Sequence, residues 1–251
     1  MTSQQDVTSA TPLHGTSPRS RESPTHILSM FPGHLHLLPQ TPQLHFLFTV
    51  IRNVETPRTD FVFYSERIMR LILEAALCMI PVKPFNVITP TGAVYKGVRP
   101  DDRGIIGVSI MRAGESMERV LREMCRGVRI GKILVQRDEA SAEKVPDARF
   151  SYTKVPKDVA SRRVLLLDPM CATGGSVIKA TEILINEYGV DEENIIFLNA
   201  ISAPAGLRKY LGRFPKVQIV TAAIDDDLDE NMHILPGLGD FGDRYFGTIE
   251  D

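Results

Sequence analysis

Residues 164–176 constrain the fold of this chain more tightly than any other stretch. Val164, Leu165, Leu166 and Leu167 form a continuous apolar run of the kind a strand shows when buried on both faces. Asp168 ends the run. A loop of small residues follows, Met170, Cys171, Ala172, Thr173, Gly174, Gly175 and Ser176, and then a helical pattern begins. In open α/β sheets, ligands bind outside the carboxyl ends of parallel strands. A loop of Thr, Gly and Ser that opens a helix offers free N–H groups, hydroxyls and the positive end of the helix dipole to a phosphate. If that phosphate belongs to a ribose 5-phosphate, Asp168 stands where the sugar hydroxyls lie. No Lys precedes Ser176 in a G-x-x-x-x-G-K-[ST] frame, so the loop is not of the Walker type.

The rest of the chain supplies the α/β context. The pattern predicts a helix over 41–54, with Leu44, Leu47, Phe48 and Ile51 at i, i+3, i+4 and i+7. A second helix is expected to start at an Asp60 cap, bury Tyr64, Ile68, Leu71, Ile72, Ala75 and Met79, and stop at Pro81. Residues 85–100 read as an antiparallel excursion turning at Gly92 and Gly97. Alternation then sets in, with strands expected at 105–110, 133–136, 164–167, 194–200 and 217–223. Helices are expected at 115–126, from 177 to Gly189, and at 204–213. Strands alternating with helices imply βαβ units and a doubly wound parallel sheet. The polar stretch 138–161 carries Pro146 and Pro156 and is too long for a plain connection, so a flap or hairpin is expected there, over about 138–160. Residues 1–26, rich in Ser, Thr, Pro and Gln, read as a disordered tail ahead of one domain over 27–251.

Bulk properties exclude several classes. The net charge of −2 gives no basic field for nucleic acid. No apolar run is long enough to span a bilayer. Cys78, Cys125 and Cys171 are odd in number and lack metal-ligand spacing, which fits reduced thiols in the cytoplasm. His34 and His36 have no carboxylate or Cys nearby to complete a metal site.

Two further strand ends carry charge toward the same rim as Asp168. Arg112, followed by Ala113, Gly114 and Glu115, sits where a strand gives way to a helix, and a guanidinium there can grip a diphosphate bidentately. Arg137 ends the next strand, before Asp138 and Glu139. Near the C-terminus, His233–Thr248 is dense in glycine, so backbone conformation matters more there than side chains; such a loop can place N–H and C=O groups against a planar base, although composition alone favours a loop that merely packs with glycine turns.

Together these residues resemble the uracil phosphoribosyltransferases, within the type I phosphoribosyltransferases. The resemblance runs from about Thr41 onward. It rests on Gln43-Leu44, Glu55-Thr56-Pro57, Phe61 to Tyr64, Met111 to Glu115, Gln136 to Glu139, the Asp168-Pro169 pair with its loop, and Gly239 to Gly247. Met111 replaces an expected small aliphatic residue. The resemblance implies the reaction uracil plus phosphoribosyl pyrophosphate (PRPP) giving UMP plus pyrophosphate, with Mg²⁺. It implies that residues 171–176 hold the 5′-phosphate, that Met170 belongs to the same PRPP site and that Asp168 orients the ribose. Arg112, Ala113, Gly114 and Arg137 would bind pyrophosphate. Backbone groups near Ile234, Leu235, Gly239 and Phe241 would read uracil, in a C-terminal segment of about 224–251. Asp240 would either polarise the reacting nitrogen or organise a metal-bound water. The metal would be held mainly by PRPP itself. Family members assemble as dimers or tetramers and some respond to GTP, and helices within 42–79 are the expected interface. The alternative from the same residues is a UMP- or PRPP-binding regulator, or a catalytically silent paralogue.

Overall fold

The computed structural model describes residues 24–101, 103–137 and 148–248. Within them the chain runs α1 (Pro24–Met30), β1 (Leu35–Leu37), α2 (Pro42–Arg52), α3 (Arg58–Leu77), β2 (Val82–Ile88), β3 (Val94–Pro100), β4 (Ile105–Met111), α4 (Ser116–Met124), β5 (Arg129–Arg137), β6 (Ala148–Lys154), β7 (Arg163–Leu167), β8 (Met170–Cys171), α5 (Gly175–Asn186), β9 (Ile195–Ser202), α6 (Pro204–Arg213), β10 (Gln218–Ile224), β11 (Asp227–Leu228), β12 (Ile234–Leu235) and α7 (Phe241–Phe246).

Eight strands form the central sheet in the order β1-β10-β9-β7-β4-β5-β6, with β8 added beside β9. All pairs are parallel except β5–β6. From β4 the chain steps outward to β5. It then returns to the opposite side of β4 for β7 and continues through β9 and β10. The direction of winding therefore reverses between β4 and β7, and a crevice opens at that switch point beyond their carboxyl ends.

The pleat sends alternate side chains to two cores. Leu165, Leu167, Ile196, Leu198, Val220 and Ala222 face α2, α3 and α4. Val164, Leu166, Ile195, Phe197 and Ile219 face α5, α6 and α1. The strands thus bury both faces, as continuous apolar runs require.

The expected doubly wound α/β fold is present, with local corrections. Helix α2 matches its expected face, and Thr41 caps it by accepting a hydrogen bond from Leu44 N at 3.2 Å. Helix α3 starts at Arg58, not after an Asp60 cap, and ends at Leu77, short of Pro81. Its buried stripe is Phe61, Ser65, Glu66, Ile68, Met69, Ile72, Leu73 and Ala76, while the expected core residue Leu71 is exposed and Tyr64 only half-buried. The stripe is rotated from the expected one and takes in the buried charge of Glu66, which a reading of apolar periodicity leaves out. Gly92 does turn the β2–β3 hairpin, at φ +81°. Gly97 does not: it lies within β3 opposite Phe85. Residues 24–26, expected at the end of the tail, open α1, whose Ile27 is buried. The remainder of the expected tail, residues 1–23, lies outside the described residues, as do flap residues 138–147 and the last three residues. Among the described residues, no helix is long and apolar enough to cross a membrane.

Candidate active site

The loop after β7 is built on buried polar supports. Asp168 is buried, and its Oδ1 accepts a hydrogen bond from Met170 N at 3.3 Å. Asn199 donates to the Asp168 carbonyl at 3.3 Å and in turn accepts from the Ser202 and Thr221 hydroxyls. These three residues lie on β9 and β10, so the sheet itself fixes where the carboxylate stands. Gly174 takes φ +77° to cap α5, a left-handed conformation that suits glycine. A Cβ there would stand 2.9 Å from the Gly206 carbonyl, and one on Gly206 would overlap the Ala172 carbonyl. The loop is therefore pressed against the first turn of α6. The N–H groups of the first turn of α5 open onto the crevice at the positive end of its dipole. Cys171 contributes no side chain: its thiol is buried against the α5 side of the sheet, and burial pushes its pKa far up.

The turn after β4 forms the facing wall. Lys132 on β5 pairs with Glu115 and, at 3.3 Å, with Glu118. Ser109 donates to Glu118 at 2.6 Å. Beneath the turn, then, β4, α4 and β5 are tied by charge. Gly114 is buried and does not line the crevice; a Cβ there would overlap the Leu167 carbonyl oxygen, so its glycine serves close packing of the turn on β7. Arg112 does line the crevice. Its guanidinium pairs with Asp243 and donates to Thr248 Oγ1 at 2.8 Å.

The C-terminal segment roofs the crevice. Asp225, buried at the end of β10, holds Arg52 bidentately at 2.6 and 2.7 Å and accepts from Gly237 N at 2.8 Å. Arg52 donates back to the Gly237 carbonyl at 2.7 Å. Gly237 takes φ +62° after a cis Leu235–Pro236 bond. Arg244 donates to the carbonyls of Ile51, Leu238 and Asn53 and lies over the Phe61 ring. Asp240 caps α7 by accepting from Asp243 N at 2.9 Å.

The outcome is one cleft of about 260 Å³. Of the residues singled out from sequence, Arg112, Ala113, Asp168, Met170 to Ser176, Ile234, Gly239, Asp240 and Phe241 line it. Leu235 does not. Its side chain is exposed and its carbonyl is occupied by Asp226 N at 3.0 Å, which corrects the expectation that it reads a base. Arg137 ends β5, as expected, but its side chain lies outside the described residues. Val135, Met232, His233 and Gly242 also line the cleft and were not singled out. His233 lay within the glycine-dense stretch, yet only the structure shows Asp229 accepting its N–H at 2.8 Å and meeting its ring at 3.2 Å. Arg52 and Asp225 were missed as well. The one available signal was that Asp225, like Asp168, is a carboxylate directly after a buried strand.

Among the described residues, no group of three His, Cys, Asp or Glu side chains comes together as a metal cage. Among the described residues, the carboxylates that line the cleft are Asp168 and Asp240. Two carboxylates suit Mg²⁺, which keeps waters and substrate oxygens as most of its ligands.

Comparison with known proteins identifies the family. The family model for uracil phosphoribosyltransferase matches residues 38–248. The chain belongs to the uracil phosphoribosyltransferase family. It is 57% identical to Uracil phosphoribosyltransferase 1 of Schizosaccharomyces pombe, over 86% of this chain and 96% of that one. It is 55% identical to the Uracil phosphoribosyltransferase of Saccharomyces cerevisiae, over 84% of this chain and 95% of that one. A solved structure of an Aquifex aeolicus protein shares the fold at a TM-score of 0.73 and 24% identity, covering 84% of this chain and 97% of that one. Membership accounts for why the Arg112 turn, the Asp168 loop and the glycine-dense segment occur in one chain.

Proposed function

We propose that this chain transfers the phosphoribosyl group of PRPP to uracil, releasing UMP and pyrophosphate. The observation that carries the reading is the convergence of three sequence-distant segments, 110–113, 168–177 and 232–242, on one cleft at the switch point of the sheet. Each segment supplies one recognition chemistry. Backbone N–H groups of 172–176 hold the 5′-phosphate. Asp168 accepts from the ribose hydroxyls. Arg112 and Ala113, with Arg137, bind the pyrophosphate and neutralise charge as it leaves. Bound Mg²⁺ supplies further neutralisation of the diphosphate, with Asp168 and Asp240 the carboxylates that would hold it.

Uracil presents acceptor, donor and acceptor along one edge. Backbone groups around Ile234, Gly239 and Phe241 offer the complementary set, and Phe241 supplies an apolar wall. Cytosine would turn a donor against a donor and strand buried polar groups, a mismatch that can cost on the order of 10⁴-fold in specificity. Asp240 faces the cleft from the start of α7, next to the reacting nitrogen in this arrangement. Rate comes from positioning and from stabilising an oxocarbenium-like centre, with no covalent enzyme intermediate. Closure of a flap over 138–160 would keep water from the activated sugar; its described part is 148–160, which opens with β6.

Self-association is supported by the β2–β3 hairpin. Val82, Ile88, Val94 and Val98 share one face of this ribbon, and all four are more than half exposed. Apolar surface of this kind on a two-stranded ribbon, marginal by itself, suits a second copy of the chain. The interface then includes the hairpin as well as the helices of 42–79. Cys78, Cys125 and Cys171 are free thiols, in keeping with a cytoplasmic enzyme. GTP activation is carried over from the family resemblance, and assays with and without GTP read it.

The deciding experiment incubates the protein with labelled uracil, PRPP and Mg²⁺, with cytosine, orotate and hypoxanthine in parallel. UMP from uracil alone is expected. Binding of UMP without turnover would make the protein a sensor or a silent paralogue, and turnover of another base would overturn the reading of the C-terminal segment.

A further inference from the structure

Glu66 is a carboxylate on the apolar stripe of α3, only 3% exposed, among Phe61, Ile68, Met69 and Ile72. Burying a charge there costs free energy unless partners surround it. Its partners come from α4, which follows the Arg112 turn, and from α7, which belongs to the roof of the cleft. Arg119 of α4 donates to Oε1 through Nε at 2.9 Å and to Oε2 through Nη2. The Tyr245 phenol of α7 donates to Oε1 at 2.9 Å. Burial, and then Glu66 itself, push the Tyr245 pKa well above its usual value, so the phenol remains a donor throughout the working pH range.

Tyr245 leads to the cleft by two routes. Tyr245 stacks on Phe241 with ring centroids 5.7 Å apart and planes 19° from parallel. Phe241 also meets Phe61 of α3 at 5.2 Å, and it lines the cleft. On the other side, the Tyr245 phenol lies 3.4 Å from the Ser116 carbonyl, and the Ser116 hydroxyl donates to the Ala113 carbonyl at 2.6 Å. Ala113 adjoins Arg112. The solvent side of α7 is tied to the same turn by Arg112, through Asp243 and Thr248. Helix α7 is thus tied to the Arg112 turn on its solvent side and to Glu66 on its inner side, besides the contacts of Arg244 with the end of α2.

We propose that Glu66 and Tyr245 are positioning residues for the base: Glu66 fixes the Tyr245 phenol, and the stacked Tyr245 ring sets the height of Phe241 over the base. Neither residue lines the cleft, so neither is catalytic. The inference rests on the reading that uracil lies against Phe241.

Tyr245→Phe tests it directly, because the ring and its stacking remain while the tie to Glu66 is cut. In the full-length enzyme the expected result is a uracil KM raised on the order of tenfold, the scale of one hydrogen bond to a charged group. The KM for PRPP stays within about twofold, since the phosphate loop rests on α6 and the Arg112 turn keeps its own ties to Asp243 and Thr248. Glu66→Gln keeps an acceptor for the phenol and gives a smaller rise. In the double variant, uracil KM rises no further than in Tyr245→Phe alone. A lowered Tm with unchanged uracil KM in Tyr245→Phe would make the tie structural only, and a parallel rise in both KM values would make it a general brace; either overturns the proposal. Should Glu66→Gln fail to fold, the Tyr245→Phe kinetics decide alone. If the wild-type protein turns over no uracil, the underlying reading fails; if it does and Tyr245→Phe matches it, only this inference fails.

Discussion

Gly114 has a packing role that its sequence context does not announce. Its place in a glycine-bearing turn suggests a backbone N–H aimed at a diphosphate. The structure adds that its lack of a side chain lets the turn settle on the Leu167 carbonyl. Gly114→Ala should cost about 1–3 kcal/mol, the usual range for overpacking, read as a lowered urea midpoint. A midpoint equal to wild type would remove the packing role. Asp243 carries a second residue-scale prediction. Its carboxyl is held below the usual range, first by the Thr248 hydroxyl and then by the Arg112 guanidinium. A folded-state pKa below the unfolded value of about 4 stabilises the protein above that pH, and the benefit fades as pH falls through the folded value. Wild type should therefore lose more stability than Asp243→Asn between pH 5 and 3. Parallel urea midpoints across that window would exclude the pair as a source of acid sensitivity. Arg112, Asp168 and Asp240 were legible from sequence because charged residues at strand ends stand out. Arg52 and Glu66 were not, because their partners, Asp225 and Tyr245, lie more than 170 residues away.

At the scale of elements, legibility followed burial. Strands β4, β7, β9 and β10 are covered on both faces, so they read as predominantly apolar runs, interrupted only by a few polar residues such as Ser109, Asn199 and Thr221. Helix α6 spans Pro204–Arg213, the range its sequence suggests, with Pro at its first position. Strand β1 escaped notice, since three residues gain their meaning only by pairing with β10. The close approach of α6 to the phosphate loop was equally silent, because Gly206 looks like any helical glycine. Gly206→Ala should displace the Ala172 carbonyl and raise the KM for PRPP several-fold while leaving that for uracil near wild type. Steady-state kinetics with each substrate varied in turn checks this. An equal rise in both would indicate a general loosening of the sheet end.

The whole molecule presents one feature that a lone chain explains poorly, the hairpin of β2 and β3. Its valines and Ile88 are exposed on a ribbon paired to no other strand. Sedimentation of the wild-type protein at micromolar concentration should show a dimer or larger assembly. Val94→Glu combined with Val98→Glu should shift it toward monomer, because each would place a charge at the centre of the contact. A monomeric wild type would leave the hairpin without this role. The sequence marked 85–100 as an antiparallel excursion but could not show its exposure, which depends on where the sheet ends.

The order in which the chain visits the cleft has a consequence for how its preferences can change. The sugar-phosphate cup is complete by Ser176, and the roof that faces the base begins at Met232. The two do not interleave. On the proposed assignment, what the enzyme accepts as a nucleobase is written in one short contiguous passage, while what it accepts as a donor is written elsewhere. Base preference is therefore free to drift, or to be exchanged as a cassette, without rewriting the half of the protein that handles the activated sugar.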